Sequence, residues 1–312
     1  MMKKDTLYLH VGWSKTGTSA VQSQIQAQHK DFLAKGILYP QSLQWPDYSH
    51  HPFALSFKGS GAYQSDMSPV DALEKLRLEM YDSPAPNVLL SSELSPMYFN
   101  NSRFKEFVSE HFETVKVIFT VRPQSELLLS LFNQLVKDPN IRYEASLFTL
   151  AMRNVGWLNY LNHIRLWEKH VGGENLSVIP YSRQVVQDFL AFFGIAYRAG
   201  ANQADETAII NPSLPTRCLL LVQKFGRDEM ANAEFIRRKD KIVSESMNID
   251  ISEDKQMLFS VAEQQSFDAH FERGNEELIT WFGLERNSLL KERYKPIKVI
   301  PKSAMSMKAL KK

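Results

Sequence analysis

The stretch Thr6-Leu7-Tyr8-Leu9-His10-Val11-Gly12-Trp13-Ser14-Lys15-Thr16-Gly17-Thr18-Ser19 decides the fold class. Its first six residues are mostly apolar and suit a strand buried within a parallel sheet. After Ser19, the apolar residues Val21, Ile25 and Phe32 recur at helical spacing until Gly36 ends the run. A strand that turns through a Gly-bearing loop into a helix is where backbone N–H groups and the helix dipole together hold a phosphate. The loop Ser14 to Ser19 therefore reads as an anion cradle. His10, on the strand itself, reads as a satisfied core histidine.

Gly12 and Gly17 have the separation of a Walker A loop, and Ser19 falls on its Ser/Thr position, but Thr18 stands where that loop has its lysine. The lysine lies earlier, at Lys15, where it can address the bridging oxygen beside a 5′-phosphate rather than a terminal phosphate next to magnesium. A P-loop nucleotide or small-molecule kinase is thus the second reading, opposed by the missing Gly-Lys-Ser/Thr.

Working outward, four further apolar segments follow: Ile37 to Tyr39, Val88 to Ser91, Val115 to Val121 and Leu176 to Ile179. Helical patterns run between them, at Leu127 to Val136 and from Trp157 through Leu161 and Ile164 to Val171, closing at Gly172 and Gly173. Strands alternating with helices predict an α/β fold. It is a P-loop-like, doubly wound parallel sheet of about five strands with flanking helices, whose ligands sit at the carboxyl ends of the strands. The aperiodic Ala199 to Pro215 segment predicts a loop leading into a helical C-terminal region. The expected organisation is one domain over 1–290, with an α/β core at 1–198 and a loop and helical part at 199–290, followed by a basic, flexible tail at 291–312.

The sequence resembles the PAPS-dependent sulfotransferases, and within them the bacterial carbohydrate-type branch. Lys15-Thr16-Gly17-Thr18-Ser19 matches the family's 5′-phosphosulfate loop letter for letter, while Trp13 stands where a smaller residue is more usual and is expected to alter the pocket wall. The segment Val121-Arg122-Pro123 with Ser130 eight residues after the arginine matches the family's 3′-phosphate site. Ser91-Ser92-Glu93-Leu94-Ser95-Pro96 resembles its Glu-Lys-Ser-Pro stretch, with Leu94 in place of the lysine, and Tyr-Ser-His-His at 48–51 resembles a histidine-bearing segment. Tyr181 matches a Tyr-Glu pair near the adenine, from which Ser182 departs.

The resemblance covers residues 1 to about 195, is faint to about 285 and is absent in the tail. It implies 3′-phosphoadenosine 5′-phosphosulfate (PAPS) as donor and 3′,5′-adenosine bisphosphate as product, with no metal. It makes Lys15 the residue on the leaving phosphate and Ser14, Thr16, Gly17, Thr18 and Ser19 the cradle. Arg122 and Ser130 hold the 3′-phosphate and Tyr181 the adenine. Glu93 is the expected general base, with His50 and His51 as rivals. The expected acceptor is a hydroxyl, or in second place an amine, of a carbohydrate-containing or other small molecule.

Composition sets the remaining bounds. Of 312 residues, 44% are hydrophobic and 23% charged, which is ordinary for a globular protein and excludes collagen-like, coiled-coil and wholly disordered classes. The net charge of +2 hides a split, because six lysines and no acid lie in 295–312, leaving 31 basic against 35 acidic residues elsewhere. A weakly acidic body argues against nucleic acid as a partner. The one cysteine, Cys218, permits no intrachain disulfide, and no apolar run approaches the ~18 residues a membrane span needs. The chain is therefore expected in the cytoplasm without integral membrane association.

Overall fold

Five strands of the first unit, Lys4–His10 (β1), Ile37–Leu38 (β2), Asn87–Ser91 (β3), Phe112–Val121 (β4) and Leu176–Pro180 (β5), pair in parallel in the order β2-β3-β1-β4-β5. The structure is a computed structural model and describes residues 2–57, 64–94, 101–199, 214, 216–246, 256–294 and 297–299. The chain leaves β1 for the edge strand β2, returns through β3 to lie beside β1, and then crosses to the opposite flank for β4 and β5. That reversal at β1 is the topological switch point of a doubly wound sheet, where ligands bind beyond the carboxyl ends.

The helices up to β5 and just beyond it are Thr18–Ala27 (α1), His29–Ala34 (α2), His51–Phe57 (α3), Pro69–Asp82 (α4), Ser102–His111 (α5), Gln124–Lys137 (α6), Leu147–Asn154 (α7), Tyr160–Val171 (α8) and Val185–Phe192 (α9). One face of the sheet buries Leu89, Ile118 and Ile179 against Val21, Ile25 and Phe32 of α1 and α2 and Phe189 and Leu190 of α9. Successive strand residues face opposite ways, so Phe119 lies on the other face, where it meets Trp13, which in turn packs on Tyr160 of α8. Both faces are covered, which is why β1, β3 and β4 read as nearly continuous apolar runs.

Where Val21, Ile25 and Phe32 suggest one helix, the structure has two. The break falls at Gln28, whose amide donates to Asp31 Oδ2 at 2.8 Å and to the Ala196 carbonyl at 3.0 Å while accepting from Gln24 at 2.6 Å. The expected helix from Trp157 begins only at Tyr160. β4 extends back to Phe112, directly after α5.

The chain divides into two compact units. The first comprises 1–122, 160–210 and 280–284; the second comprises 123–159, 211–279 and 285–312. The second unit contains α6 and α7 together with Thr216–Gly226 (α10), Asn232–Ser246 (α11) and Val261–Phe282 (α12, to residue 279), and a pair of antiparallel strands, Gln256–Phe259 (β6) and Ile297–Val299 (β7). Polar ties explain why α6 groups with the C-terminal helices. Asn133 exchanges hydrogen bonds with the backbone of Leu214 at 3.0 and 3.1 Å, and Asp268 accepts from the Ser125 N–H at 2.9 Å and hydroxyl at 2.6 Å, capping α6. Gln124 and Asn275 pair their amides at 2.9 and 3.0 Å. The expected flexible tail thus contains a paired strand at 297–299; its remainder from 300, like most of the 199–215 loop, lies outside the described residues. Among the described residues no helix is long and apolar enough to cross a membrane.

Candidate active site

The loop leaves β1 between β3 and β4, and its shape follows from its small residues. A side chain at Gly12 would put a Cβ 1.9 Å from Thr120 Oγ1, so only glycine lets the backbone pass β4 this closely. Gly17 adopts a left-handed φ of 87° as the residue before α1, and a Cβ there would meet Val185 at 2.7 Å. Lys15 also has a left-handed φ, 71°, a conformation a non-glycine residue holds only when its surroundings fix it. Trp13 supplies that fixing. Its indole is turned into the core against Phe119, Tyr160 and His163 rather than forming a pocket wall, and its backbone N–H donates to the Thr120 carbonyl at 3.2 Å.

Thr16 is engaged within the loop. Its hydroxyl and its N–H both donate to the Trp13 carbonyl, at 2.5 and 3.3 Å, so it closes the loop on itself. Ser14 and Lys15 are half-buried, Thr18 is buried and Ser19 is exposed at the start of α1. No side chain caps the N-terminus of α1 and no acid lies in its first turn, which leaves its dipole to attract an anion.

Charged groups converge on Lys15. Burial pushes its ammonium below the ordinary lysine range and neighbouring Arg122 adds to this, while the Glu93 carboxylate opposes both. Arg122 ends β4, its backbone carbonyl accepting from Tyr160 Oη at 2.7 Å and its guanidinium lying 4.5 Å from the Tyr181 ring centroid. Tyr181 follows β5, anchored by its N–H on the Val121 carbonyl at 2.7 Å, and packs beside Gly17. The structure therefore places Tyr181 as a platform for Arg122. Ser130 is half-buried on α6 in the second unit.

Glu93 sits just past β3 with its side chain 10% exposed. One carboxylate oxygen accepts from Gln22 at 3.2 Å and the other faces His51 Nε2 at 3.9 Å. The His51 ring has Nδ1 2.8 Å from Ser92 Oγ and stands edge-on to Trp45 at 5.2 Å. Burial lowers the His51 pKa, and Glu93 and Asp47 oppose this. Glu93 and His51 thus form a carboxylate–imidazole pair beside Lys15. His50 has both ring nitrogens engaged. Its Nδ1 accepts from the Ser91 N–H at 3.0 Å, its Nε2 donates to the Pro40 carbonyl at 2.8 Å, and full burial pushes its pKa down to about 4. Both ring nitrogens are committed to backbone, so it ties the 40–50 loop to β3.

Sequence reasoning missed Gln22 and Thr120, both buried at the site. Gln22 lies four residues after Thr18 on the buried stripe of α1, and Thr120 is the polar residue in the apolar run that ends β4. A polar residue at an inward-facing position was the available signal in each case.

No family model matches the chain, and no curated protein matches it. Among solved structures, it is similar to the sulfotransferase domain of the Synechococcus PCC 7002 olefin synthase at 12% identity, covering 86% of this chain and 96% of that one with a TM-score of 0.33. It is similar also to the sulfotransferase domain from the curacin biosynthetic pathway at 10% identity, over 86% and 97% of the two chains with a TM-score of 0.41. A third is mouse sulfotransferase SULT7A1 complexed with PAP, at 16% identity over 80% and 86% with a TM-score of 0.34.

Proposed function

We propose that the chain is a PAPS-dependent sulfotransferase that moves a sulfuryl group to a hydroxyl, or in second place an amine, of a carbohydrate-containing or other small acceptor. The observation that carries this reading is the half-buried lysine inside the Gly12–Gly17 loop, sharing one neighbourhood with Arg122 and Glu93 at the carboxyl ends of β1, β4 and β3. Two cations, an uncapped helix N-terminus and one carboxylate fit a donor with two anionic ends and an acceptor that must lose a proton. PAPS, when bound, supplies the activated sulfuryl group.

Lys15 holds the 5′-phosphate and neutralises the charge that gathers on its bridging oxygen as the bond to sulfur breaks; its partial burial strengthens that effect. Arg122, held flat against Tyr181, presents a planar donor fork to the 3′-phosphate. Ser130 joins that assignment by its sequence offset alone. Glu93 takes the proton from the attacking oxygen, with His51 as the rival base through Nε2. Sulfuryl carries less charge than a phosphoryl group, so two cations meet the need and the reading calls for no metal.

The test is transfer of labelled sulfuryl from PAPS to a panel of sugar hydroxyls in the presence of a chelator. Product that survives chelation and falls ~10²- to 10⁴-fold in Glu93→Gln supports the mechanism. Activity retained in Glu93→Gln but lost in His51→Ala moves the base to His51. Phosphoryl transfer from ATP and magnesium, with none from PAPS, favours the kinase reading.

A further inference from the structure

Between the loop and Glu93 runs an unbroken line of buried polar contacts within the first unit. Gln22 Nε2 lies 3.2 Å from Glu93 Oε2 and 3.1 Å from Ser91 Oγ; Ser91 Oγ lies 2.8 Å from His10 Nδ1. His10 Nε2 is 3.4 Å from Thr120 Oγ1, which is 2.6 Å from Thr16 Oγ1, and that hydroxyl donates to the Trp13 carbonyl at 2.5 Å. Gln22, Ser91, His10, Thr120 and Thr16 are each at most 3% exposed.

The two ends set a direction for the hydrogens along this line. A carbonyl only accepts, so Thr16 gives its proton to Trp13 and must receive Thr120's; Thr120 in turn receives from His10 Nε2–H. That leaves His10 Nδ1 bare, to accept from Ser91. From the other end, the carboxylate of Glu93 accepts one amide hydrogen of Gln22, and the second goes to Ser91 Oγ, freeing Ser91's own hydrogen for His10. Tyr39 also reaches Ser91, and because its hydroxyl donates to the Tyr48 carbonyl at 2.7 Å it is a second acceptor for the Ser91 hydrogen; the chain is continuous when that hydrogen goes to His10. Burial alone pushes the His10 pKa down to about 3, so its ring is neutral and one tautomer suffices.

We infer that Gln22 is a positioning residue for Glu93: its amide fixes one carboxylate oxygen and hangs from an oriented hydrogen-bond chain, through Ser91, His10, Thr120 and Thr16, that ends on the cradle loop at Trp13. The inference rests on the functional reading above insofar as Glu93 is the base. With Oε2 held by Gln22, the other oxygen is the one turned toward His51 and available for an acceptor proton. The same chain ties the loop's closure to the carboxylate's orientation, because fully satisfied buried networks rigidify as a unit. The charged or titratable groups that face Glu93 are Lys15, His51 and Tyr39.

The test is steady-state sulfuryl transfer from PAPS to a sugar hydroxyl by wild type and Gln22→Met, beside binding of 3′,5′-adenosine bisphosphate to both. Loss of the amide donor lets the carboxylate turn away from the reacting oxygen, so kcat falls roughly tenfold while KM for PAPS and binding of the bisphosphate are unchanged. A filler role for Gln22 would lower the melting temperature and leave kcat unchanged, which overturns the inference. Should Gln22→Met not fold, ring nitrogen shifts of His10 in wild type decide: a neutral Nε2–H tautomer from pH 5 to 8 is expected, and an Nδ1–H tautomer breaks the chain and overturns it. Wild type that shows the expected His10 tautomer but binds no bisphosphate overturns the functional reading instead.

Discussion

Replacing Lys15 with alanine removes the one cation placed inside the Gly12–Gly17 loop, and the expected result is a ~10²- to 10³-fold loss of turnover with an unchanged melting profile. The fold survives because Trp13 and Thr16, not the lysine ammonium, close the loop. Near-normal turnover in Lys15→Ala would remove it from the reaction. Arg122→Ala is expected to weaken 3′,5′-adenosine bisphosphate far more than adenosine 5′-phosphosulfate, which lacks the 3′-phosphate, by roughly 10- to 150-fold for a lost charged hydrogen bond. Equal weakening of the two ligands, measured by calorimetry, would reduce Arg122 to a structural partner of Tyr181.

At the scale of elements, two buried histidines make the sheet acid-labile. His10 links β1 to β3 and β4, and His50 links the 40–50 loop to β3. Their folded pKa values, about 3 and about 4, lie below the ordinary 6.5. Depressed histidine values mean that the unfolded chain binds more protons, so their stabilisation is whole above pH 6.5. It is lost as pH falls toward 4, at up to ~1.4 kcal/mol per pH unit for each ring. Urea midpoints between pH 7 and 4.5 should fall with that slope, and His10→Asn should flatten it by about one proton; an unchanged slope would contradict neutral burial. In the second unit, Asp268→Ala removes the cap on α6 and should cost about 0.5–2 kcal/mol. Unfolding of the variant at the wild-type midpoint would show that the cap contributes nothing.

At the scale of the whole molecule, the parallel sheet was legible in the sequence because each central strand is apolar on both faces and the Gly-bearing loop marks β1. The segments assigned there as strands lie within a residue or three of those in the structure. The division into two units was not legible, because what groups α6 with α10 and α12 is a set of side-chain ties, Asn133 to Leu214 and Asp268 to Ser125, that join residues 81 and 143 positions apart. At the site, Lys15, Glu93 and His51, which lie near one another in the structure, were singled out by local motifs. The commitments of His50 and Thr16 to backbone carbonyls were not legible because a motif shows which residue types are present and not where their hydrogens go, and Gln22 was missed because its partners come from β3.

The central claim is that this loop binds the two-phosphate product of sulfuryl transfer in preference to a nucleoside triphosphate, and a thermal-shift comparison of 3′,5′-adenosine bisphosphate with ATP plus magnesium tests it most directly. Ligand at about 100 times its dissociation constant adds about 2.7 kcal/mol to the folded state. The account predicts a rise of several degrees with the bisphosphate, abolished in Lys15→Ala and reduced in Arg122→Ala, with little response to ATP and magnesium; the reverse preference would contradict it.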